Sequence, residues 1–375
     1  MDFSYADEQQ AIVDLAAQIL ADGCSRERLE EVERGEQRFD RALWSKLAEA
    51  GLVGVAIPEA LGGGGLGFME LAGIIEQAGR AAAPVPFLEQ AVLGALPLAE
   101  FGSQAQREAW LPRAARGEVI LTAALMEPEG DPAKPQTQAR PEADGWRLSG
   151  TKLCVPAGPI ADLVLVPALI AGGGIAVFLV EPSSEGVSVV PLDTSGGQPE
   201  ARIDLEDARL GLDALLGSAE SGAEIVAWIL LRANAALACL ALGACEAALE
   251  LTSEYAKTRK QFDQPIAMFQ AVGHRAADAY IDTEGMRLTA LQAAWRISAG
   301  LPAEKQVAVA KFWASEAGHR VVHAALHLHG GVGVDKEYPL HRYFFVVKQL
   351  ALQLGGATEQ LRSLGAMLAE EPDAA

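Results

Sequence analysis

The 375-residue chain is half apolar and about one-fifth charged, with a formal net charge of −20. That composition is globular and weighs against nucleic-acid partners and anionic membrane surfaces. The length exceeds what one ordinary core holds, so two or three packed units are expected.

The chain starts MDFSYADEQQ, which has neither a basic stretch nor an apolar run and so reads as no export signal. From 1 to about 118 the pattern is helical. Ser4 and Asp7 are candidate caps for a first helix, and amphipathic runs recur at 41–51, 69–81 and 85–101. ALGGGGLG (60–67) places Gly62, Gly64 and Gly67 in G-x-G-x-x-G register after the strand-like VGVAI. A dinucleotide-binding turn needs strand, turn and helix in immediate succession and then a parallel strand. Here PEAL intervenes and more helices follow, so a flexible surface loop is the expectation.

From about 119 to 217 the texture becomes β. VILTAALM, GWRLSGTKLCV, ADLVLVPAL, IAVFLV and VSVVPL are separated by Gly, Pro, Asp and Ser, as in a small antiparallel barrel or sandwich. LVLVPALIAGGGIAVFLV (163–180) is long enough to span a membrane, but Pro167 and three glycines make it a buried β-hairpin. From 218 the chain is helical again. Ser221 and Glu224 suggest a capping box before a helix that runs to Lys257. Its apolar stretch at 227–249 carries Arg232 and Asn234, which suits the central helix of a bundle better than a membrane span.

A second long helix is expected over 266–299. Gly300 stops it, Pro302 starts a third, and Gly330–Gly331 end that one. A last pair flanks QLGGATEQLR (353–362), where two glycines interrupt good helix formers at about 1 kcal/mol each relative to alanine. The reading is an α+β multidomain chain: a helical domain at 1–118, an antiparallel β-barrel or sandwich at 119–217, and a four-helix bundle at 218–375. Cys24, Cys154, Cys239 and Cys245 lack CxxC spacing and read as buried free thiols of a reducing, cytoplasmic compartment.

His319, His323 and His327 share one helix face, with Glu316 before them and His329 beyond. Two histidines at i, i+4 can bind zinc, but the first and third lie about 12 Å apart by helical rise, so three cannot converge on one tetrahedral ion. No metal is assigned. No nucleophile elbow, phosphate loop or Cys–His pairing appears. There remains EYAKTRKQFDQPIAMFQAVGHRAAD (254–278), where Arg259, Lys260 and Phe262 sit between two long helices and Gln270 follows on the second. A glycine corner, HLHGGVGVDKEYPLHR (327–342), ends another helix. Glycine lets backbone N–H groups approach a ligand closely. Together the two corners would suit the pyrophosphate of a dinucleotide, or form a solvated basic turn.

TRKQFDQPIAMFQAV, HLHGGVGVDKEYPLHR, PEALGGGGLGFMELAGIIEQAGR and the α–β–α order together resemble acyl-CoA dehydrogenases over essentially the whole chain. Within that family the chain most resembles the base-lacking subunits of heteromeric dehydrogenases from actinobacterial sterol side-chain degradation. The resemblance implies oxidation of an acyl-CoA to the trans-2-enoyl-CoA, with a glutamate as base and FAD as hydride acceptor. It also implies that FAD lies at a subunit interface, where a neighbour's bundle grips the adenosine diphosphate end. That gripping role carries over to Arg259, Gln261, Phe262 and Gln270, to the Gly330–Gly331 turn, and to His327, which stands where the family usually has glutamine.

The other half of the resemblance is broken. Gly355, in Leu354-Gly355-Gly356-Ala357, occupies the usual base position, and the alternative position falls at about Ala233. Cys154-Val155-Pro156 replaces the family's Trp-x-Thr beside the flavin. Met126-Glu127-Pro128-Glu129-Gly130-Asp131 replaces a Thr-Glu-Pro loop and lacks its first hydroxyl. The expectation is a non-catalytic subunit that shares FAD with a homologous catalytic subunit in a 2:2 heterotetramer, the acyl-CoA being bound mainly by the partner. The alternatives are a self-sufficient flavoenzyme, a dehydrogenase with a relocated base, for which Glu359 and Glu127 are the nearby carboxylates, or one doing oxygen chemistry that needs none, and a structural or regulatory partner without flavin.

Overall fold

A computed structural model describes residues 5–128 and 130–370. The N-terminal helices are α1 (Asp7–Gly23), α2 (Arg26–Arg34), α3 (Arg41–Glu49), α4 (Phe68–Arg80), α5 (Leu96–Phe101) and α6 (Gln104–Ala115), with a π-helical segment Glu89–Ala95 running into α5. The strands β1 (Leu121–Ala123), β2 (Gln138–Glu142), β3 (Gly145–Pro156), β4 (Leu163–Ile170), β5 (Ile175–Val180), β6 (Val187–Leu192), β7 (Glu200–Gly211) and β8 (Leu215–Leu216) follow. Then come α7 (Gly222–Thr258), a short hairpin of β9 (Lys260–Gln261) and β10 (Gln264–Pro265), α8 (Gln270–Ser298), α9 (Glu304–His329), α10 (Leu340–Leu352) and α11 (Ala357–Ala369). The α–β–α order is therefore as expected, with α2 and α6 added.

Contacts group the described residues into two compact units that cut across the three sequence segments. One comprises Glu27–Leu71 and Pro84–Ala233. Its centre is an eight-stranded sheet in the order β6-β7-β3-β2-β4-β5-β8, with β1 added beside β4. The sheet is mostly antiparallel, but β1–β4 and β2–β4 are parallel pairs. β4 and β5 form the anticipated hairpin, and Leu148, Val164, Val166, Phe178, Ile203 and Leu205 pack in its core. The π segment wraps Gln90, which is wholly buried; its side-chain oxygen accepts from Leu121 N at 2.7 Å and its amide donates to Ala114 O at 3.1 Å. Buried polar groups need such partners, and a wide turn can present one inward.

Two local expectations fail in this unit. VGVAI forms turns, not a strand, because its carbonyls are taken by the glycine loop: Gly64 N, Gly65 N and Leu66 N bond to Gly54, Ile57 and Val55 O. That loop is pinned, since a Cβ on Gly63 would come within 2.1 Å of Ile57 O. At the start of α7 there is no capping box. The Ser221 hydroxyl instead accepts from Ser218 N and donates to Ser218 O. Ser4 lies outside the described residues; Asp7 is the first helical residue, and Ala6 N donates to the Gln9 side-chain oxygen at 3.0 Å.

The other unit joins the described parts of Met1–Arg26, Ala72–Ala83 and Asn234–Ala375. α8 and α9 lie antiparallel: Arg320 grips Asp282 through two bonds of 2.8 and 2.6 Å, and a Cβ on Gly285 would meet the Trp313 ring. α7 passes α4 so closely that Cβ atoms on Gly79 or Gly243 would strike the opposing backbone. Beside that contact Arg80 and Arg287 reach Glu246, and Glu76 is largely shielded among them, its side chain 12% exposed. Burial pushes the Glu76 carboxyl up to about 7, and the Glu246 charge adds to the shift. α7 is the one described helix long and apolar enough to cross a membrane, and 67% of its most apolar window is buried inside the protein.

Candidate functional site

Tertiary packing brings the ends of three helices to one corner of the second unit. At the end of α7, Tyr255 stacks on His329 of α9 with ring centroids 4.3 Å apart, and its hydroxyl donates to His329 O at 3.4 Å. His329 is buried; Nδ1–H donates to Ala325 O at 2.9 Å, leaving Nε2 to accept from the Tyr338 hydroxyl at 3.1 Å. Burial holds this imidazole below its ordinary pKa. His329 is thus a structural pin, and it fixes where α7 and α9 end relative to each other.

One turn beyond Tyr255, Arg259 is exposed, and its guanidinium has no hydrogen bond or ion pair among the described residues. The hairpin after it turns through Phe262 (φ 52) and Asp263 (φ 64), both left-handed, as a two-residue hairpin requires. Phe262 is 88% exposed at the tip, with its ring edge-on to Phe269. The Gln261 amide donates to Lys260 O at 2.9 Å, and Gln270 is the exposed first residue of α8. At the end of α9, Gly330 adopts φ 61, and Cβ atoms added at Gly330 or Gly331 would meet nothing within 4 Å. His327 is exposed one turn earlier, where Arg275 of α8 donates to its Nδ1. All seven expected cofactor residues therefore lie on the helix ends and the β9–β10 hairpin of one unit. An exposed guanidinium, amides and an open glycine backbone suit an anionic diphosphate far better than an apolar ligand.

The positions expected to carry chemistry look different. Leu354 (φ 54) and Gly355 (φ 97) turn the chain between α10 and α11. The preceding helix is clamped by α9: Lys311 Nζ donates to Leu350 O at 2.5 Å and Ser315 to Ala351 O at 3.2 Å. Burial lowers the Lys311 ammonium to about 7. The turn's shape is held, yet Gly355 offers no side chain. Glu359 is exposed in the first turn of α11, with Oε2 3.3 Å from where a Cβ on Gly356 would lie.

In the sheet-bearing unit Ala233 is fully buried, and its neighbour Arg232 lies flat on Trp228, 3.4 Å from the ring centroid. Burial lowers the Arg232 guanidinium to about 10. A bulge in β3 puts Cys154 in the left-handed region (φ 47), beside the Met126 loop to which Leu153 N donates at 3.0 Å. The two segments are locked by a buried pair, Lys152 Nζ to Glu127 Oε1 at 2.5 Å, with Lys152 also donating to Pro167 O at 2.7 Å. Glu127 accepts further bonds from Gln136 N, Thr137 N and the Thr137 hydroxyl. Burial opposes ionisation, but the Lys152 charge and these donors outweigh it and hold the carboxyl below its ordinary pKa. Glu127 is therefore committed to structure and is withdrawn as a base. Glu129 lies outside the described residues. No aromatic ring or hydroxyl occupies Cys154-Val155-Pro156, so this segment does not fit a flavin ring that needs stacking and a donor.

Among the described residues no group of three or more His, Cys, Asp or Glu is placed to hold a metal. His319 and His323 pack ring to ring at 4.1 Å while His327 turns to Arg275. All four cysteines are free, but Cys154 is exposed and Cys24 half-buried, contrary to the buried expectation. The sequence reading missed Arg275, Tyr255 and Lys152. Only the last leaves a sequence signal, a lysine directly ahead of the apolar Leu153-Cys154-Val155-Pro156 run that ends β3; the others depend on helix pairing.

Models of the acyl-CoA dehydrogenase N-terminal and C-terminal domains match residues 6–118 and 220–368. Acyl-CoA dehydrogenase FadE27 of Mycobacterium tuberculosis is 43% identical over 99% of this chain and 100% of its own. A chain of the ChsE4-ChsE5 complex from the same organism superimposes with a TM-score of 0.94 at 44% identity, covering 99% of this chain and 100% of that one. A chain from a variant of the Tcur3481-Tcur3483 steroid ACAD gives 0.90 at 42% identity over 97% and 98%.

Proposed function

The chain belongs to the acyl-CoA dehydrogenase family, flavoprotein oxidoreductases acting on CH–CH groups, and from that premise we propose that it is the subunit of a heteromeric enzyme that lacks its own catalytic base and helps hold its partner's FAD. Bound FAD supplies the hydride acceptor for α,β-dehydrogenation of an acyl-CoA. This chain's part is to present Arg259, Gln261, Phe262, Gln270, His327 and the Gly330–Gly331 backbone to the adenosine diphosphate end. The single observation carrying the proposal is the contrast between that exposed set of donors and a Gly355 turn and Cys154 bulge that have no base, ring or hydroxyl.

The partner is a homologous catalytic subunit in a 2:2 cytoplasmic heterotetramer that binds the acyl-CoA, and the substrate class is a sterol side-chain thioester. Two likenesses support this: one similar chain belongs to a two-component complex and another to a steroid ACAD. Exposed Phe262, Met268, Tyr280, Ile281, Leu288 and Val334, all beyond residue 260, support an assembly that covers them. The test is co-expression with homologues encoded nearby, reading co-purification, FAD per complex and turnover together. Family-typical turnover by the chain alone with FAD would refute the proposal.

A second reading keeps the reaction within this chain, with Glu359 as a relocated base, because that carboxylate lies beside the Gly355–Gly356 turn. Glu359→Gln would then abolish turnover of the isolated, FAD-loaded protein.

A further inference from the structure

His327 and Arg275 hold a feature that no motif reports. α8 and α9 run antiparallel, so a residue one and a half turns into α8 meets a residue in the last turn of α9. Between them opens a cleft of about 740 Å³ with Arg275, Asp278, Asp282, Arg320, His323 and His327 on its walls. The other arginine there is occupied, Arg320 being held bidentately by Asp282. Arg275 has one described side-chain partner, the Nδ1 of His327. A guanidinium can only donate and stays charged, so Nδ1 must be the bare nitrogen and Nε2 must carry the proton. His327 is thereby made a donor at the ring edge facing away from Arg275.

By helical rise, Arg275 stands about 7.5 Å along α8 from Gln270, and His327 about 4.5 Å along α9 from Gly330. The pair therefore bridges the two halves of the corner. Resting on the reading above, we propose that Arg275 is a positioning residue of this corner: it holds His327 as the Nε2–H tautomer, and the pair gives an imidazole N–H and the remaining guanidinium N–H groups to the diphosphate of an adenosine dinucleotide, the partner-held FAD. A histidine in place of an amide then keeps a donor at this point without relying on which way an amide flips.

The experiment uses the co-expressed complex and reads FAD affinity by flavin fluorescence, with coupling between sites from a double-mutant cycle. Arg275→Ala is expected to weaken FAD about tenfold, as for loss of a charge-assisted hydrogen bond. His327→Gln, which restores an amide donor, is expected to stay within about threefold of the parent. In the His327→Gln background, Arg275→Ala should cost only about threefold, the share of the guanidinium's own contact with the diphosphate, because an amide needs no tautomer lock. Both residues are exposed, and size-exclusion of each variant complex confirms assembly. Parent-like FAD affinity for Arg275→Ala, with Arg259→Ala still weakened, overturns this inference and leaves the proposed function standing. Parent-like affinity for both variants overturns the proposed function itself. Coenzyme A carries the same adenosine diphosphate chemistry, so free CoA is titrated in parallel; a change confined to CoA overturns the assignment to FAD.

Discussion

The corner where α7 ends, α8 begins and α9 ends keeps donors exposed: Arg259, Gln270, Arg275, His327 and an open glycine backbone. The Gly355 turn and the Cys154 bulge keep backbone shape instead. Their architecture is held by Lys311, Ser315 and the Lys152–Glu127 pair, but neither Gly355 nor Cys154-Val155-Pro156 supplies a carboxylate or an aromatic ring. On the proposed function, shape persists here without chemistry because the clamps that maintain the turn and the bulge also maintain the fold. The corner has no such structural excuse. A bare exposed arginine contributes little to the fold, and on the proposed function its role is to meet a ligand supplied from outside the chain.

The sharpest way to break this comparison is at the clamp. Lys152→Met leaves Glu127 buried without its counter-charge, and urea unfolding should show a loss of about 3–5 kcal/mol. A loss below about 1 kcal/mol would mean the bulge is not held as described. Next in size is a difference in pH response between the two units. Glu76 is pushed up to about 7 from an ordinary 4.5, so the folded chain binds more protons between these values. Its contribution is present below about 4.5 and is lost as pH rises through about 7, on the order of 3 kcal/mol in all. Glu127 has the opposite sign: its folded pKa is depressed, so its contribution is present above the ordinary value and lost as pH falls. Glu76→Gln should flatten the first dependence and leave the second, as followed by unfolding midpoints across pH.

Arg259→Ala in the complex should weaken FAD retention by about 10–100-fold, the worth of a charge-assisted contact of about 1.5–3 kcal/mol. Unchanged flavin content would reduce the corner to a solvated basic turn. Gly355→Glu reinstates a carboxylate at the turn, but at φ 97 and with Gln360 Nε2 3.2 Å from the new Cβ it should cost about 1–2 kcal/mol. The isolated, FAD-supplied variant should remain inactive, since Cys154-Val155-Pro156 still lacks ring and hydroxyl. Turnover gained by this one change would show that only the base is missing. The smallest expected effect is Glu359→Gln, which should alter the complex's turnover by less than about twofold; a larger drop, carried by this chain's own site, favours the second reading.

Much of this was legible from residue order. The long helices, the Gly300, Gly330 and Gly355 breaks and the Leu163–Val180 hairpin follow from periodicity and from glycine's backbone freedom, which are local properties. The residues behind the proposed loss of base and ring were legible too, since Gly355 and Cys154-Val155-Pro156 carry the same side chains in any fold. What sequence could not reveal was which polar groups are spent on structure. Glu127 read as a free carboxylate until Lys152, 25 residues away, was seen to neutralise it. His329 read as a residue just beyond a histidine face until Tyr255 and Tyr338 enclosed it. Ser221 read as a cap until Ser218 took its hydroxyl. Arg275 acquired a role only when antiparallel packing set it against His327, 52 residues on. Residue type and spacing decide what a group is able to do; which partner reaches it first, across distant chain segments, decides what it is left free to do, and only the tertiary structure sets that.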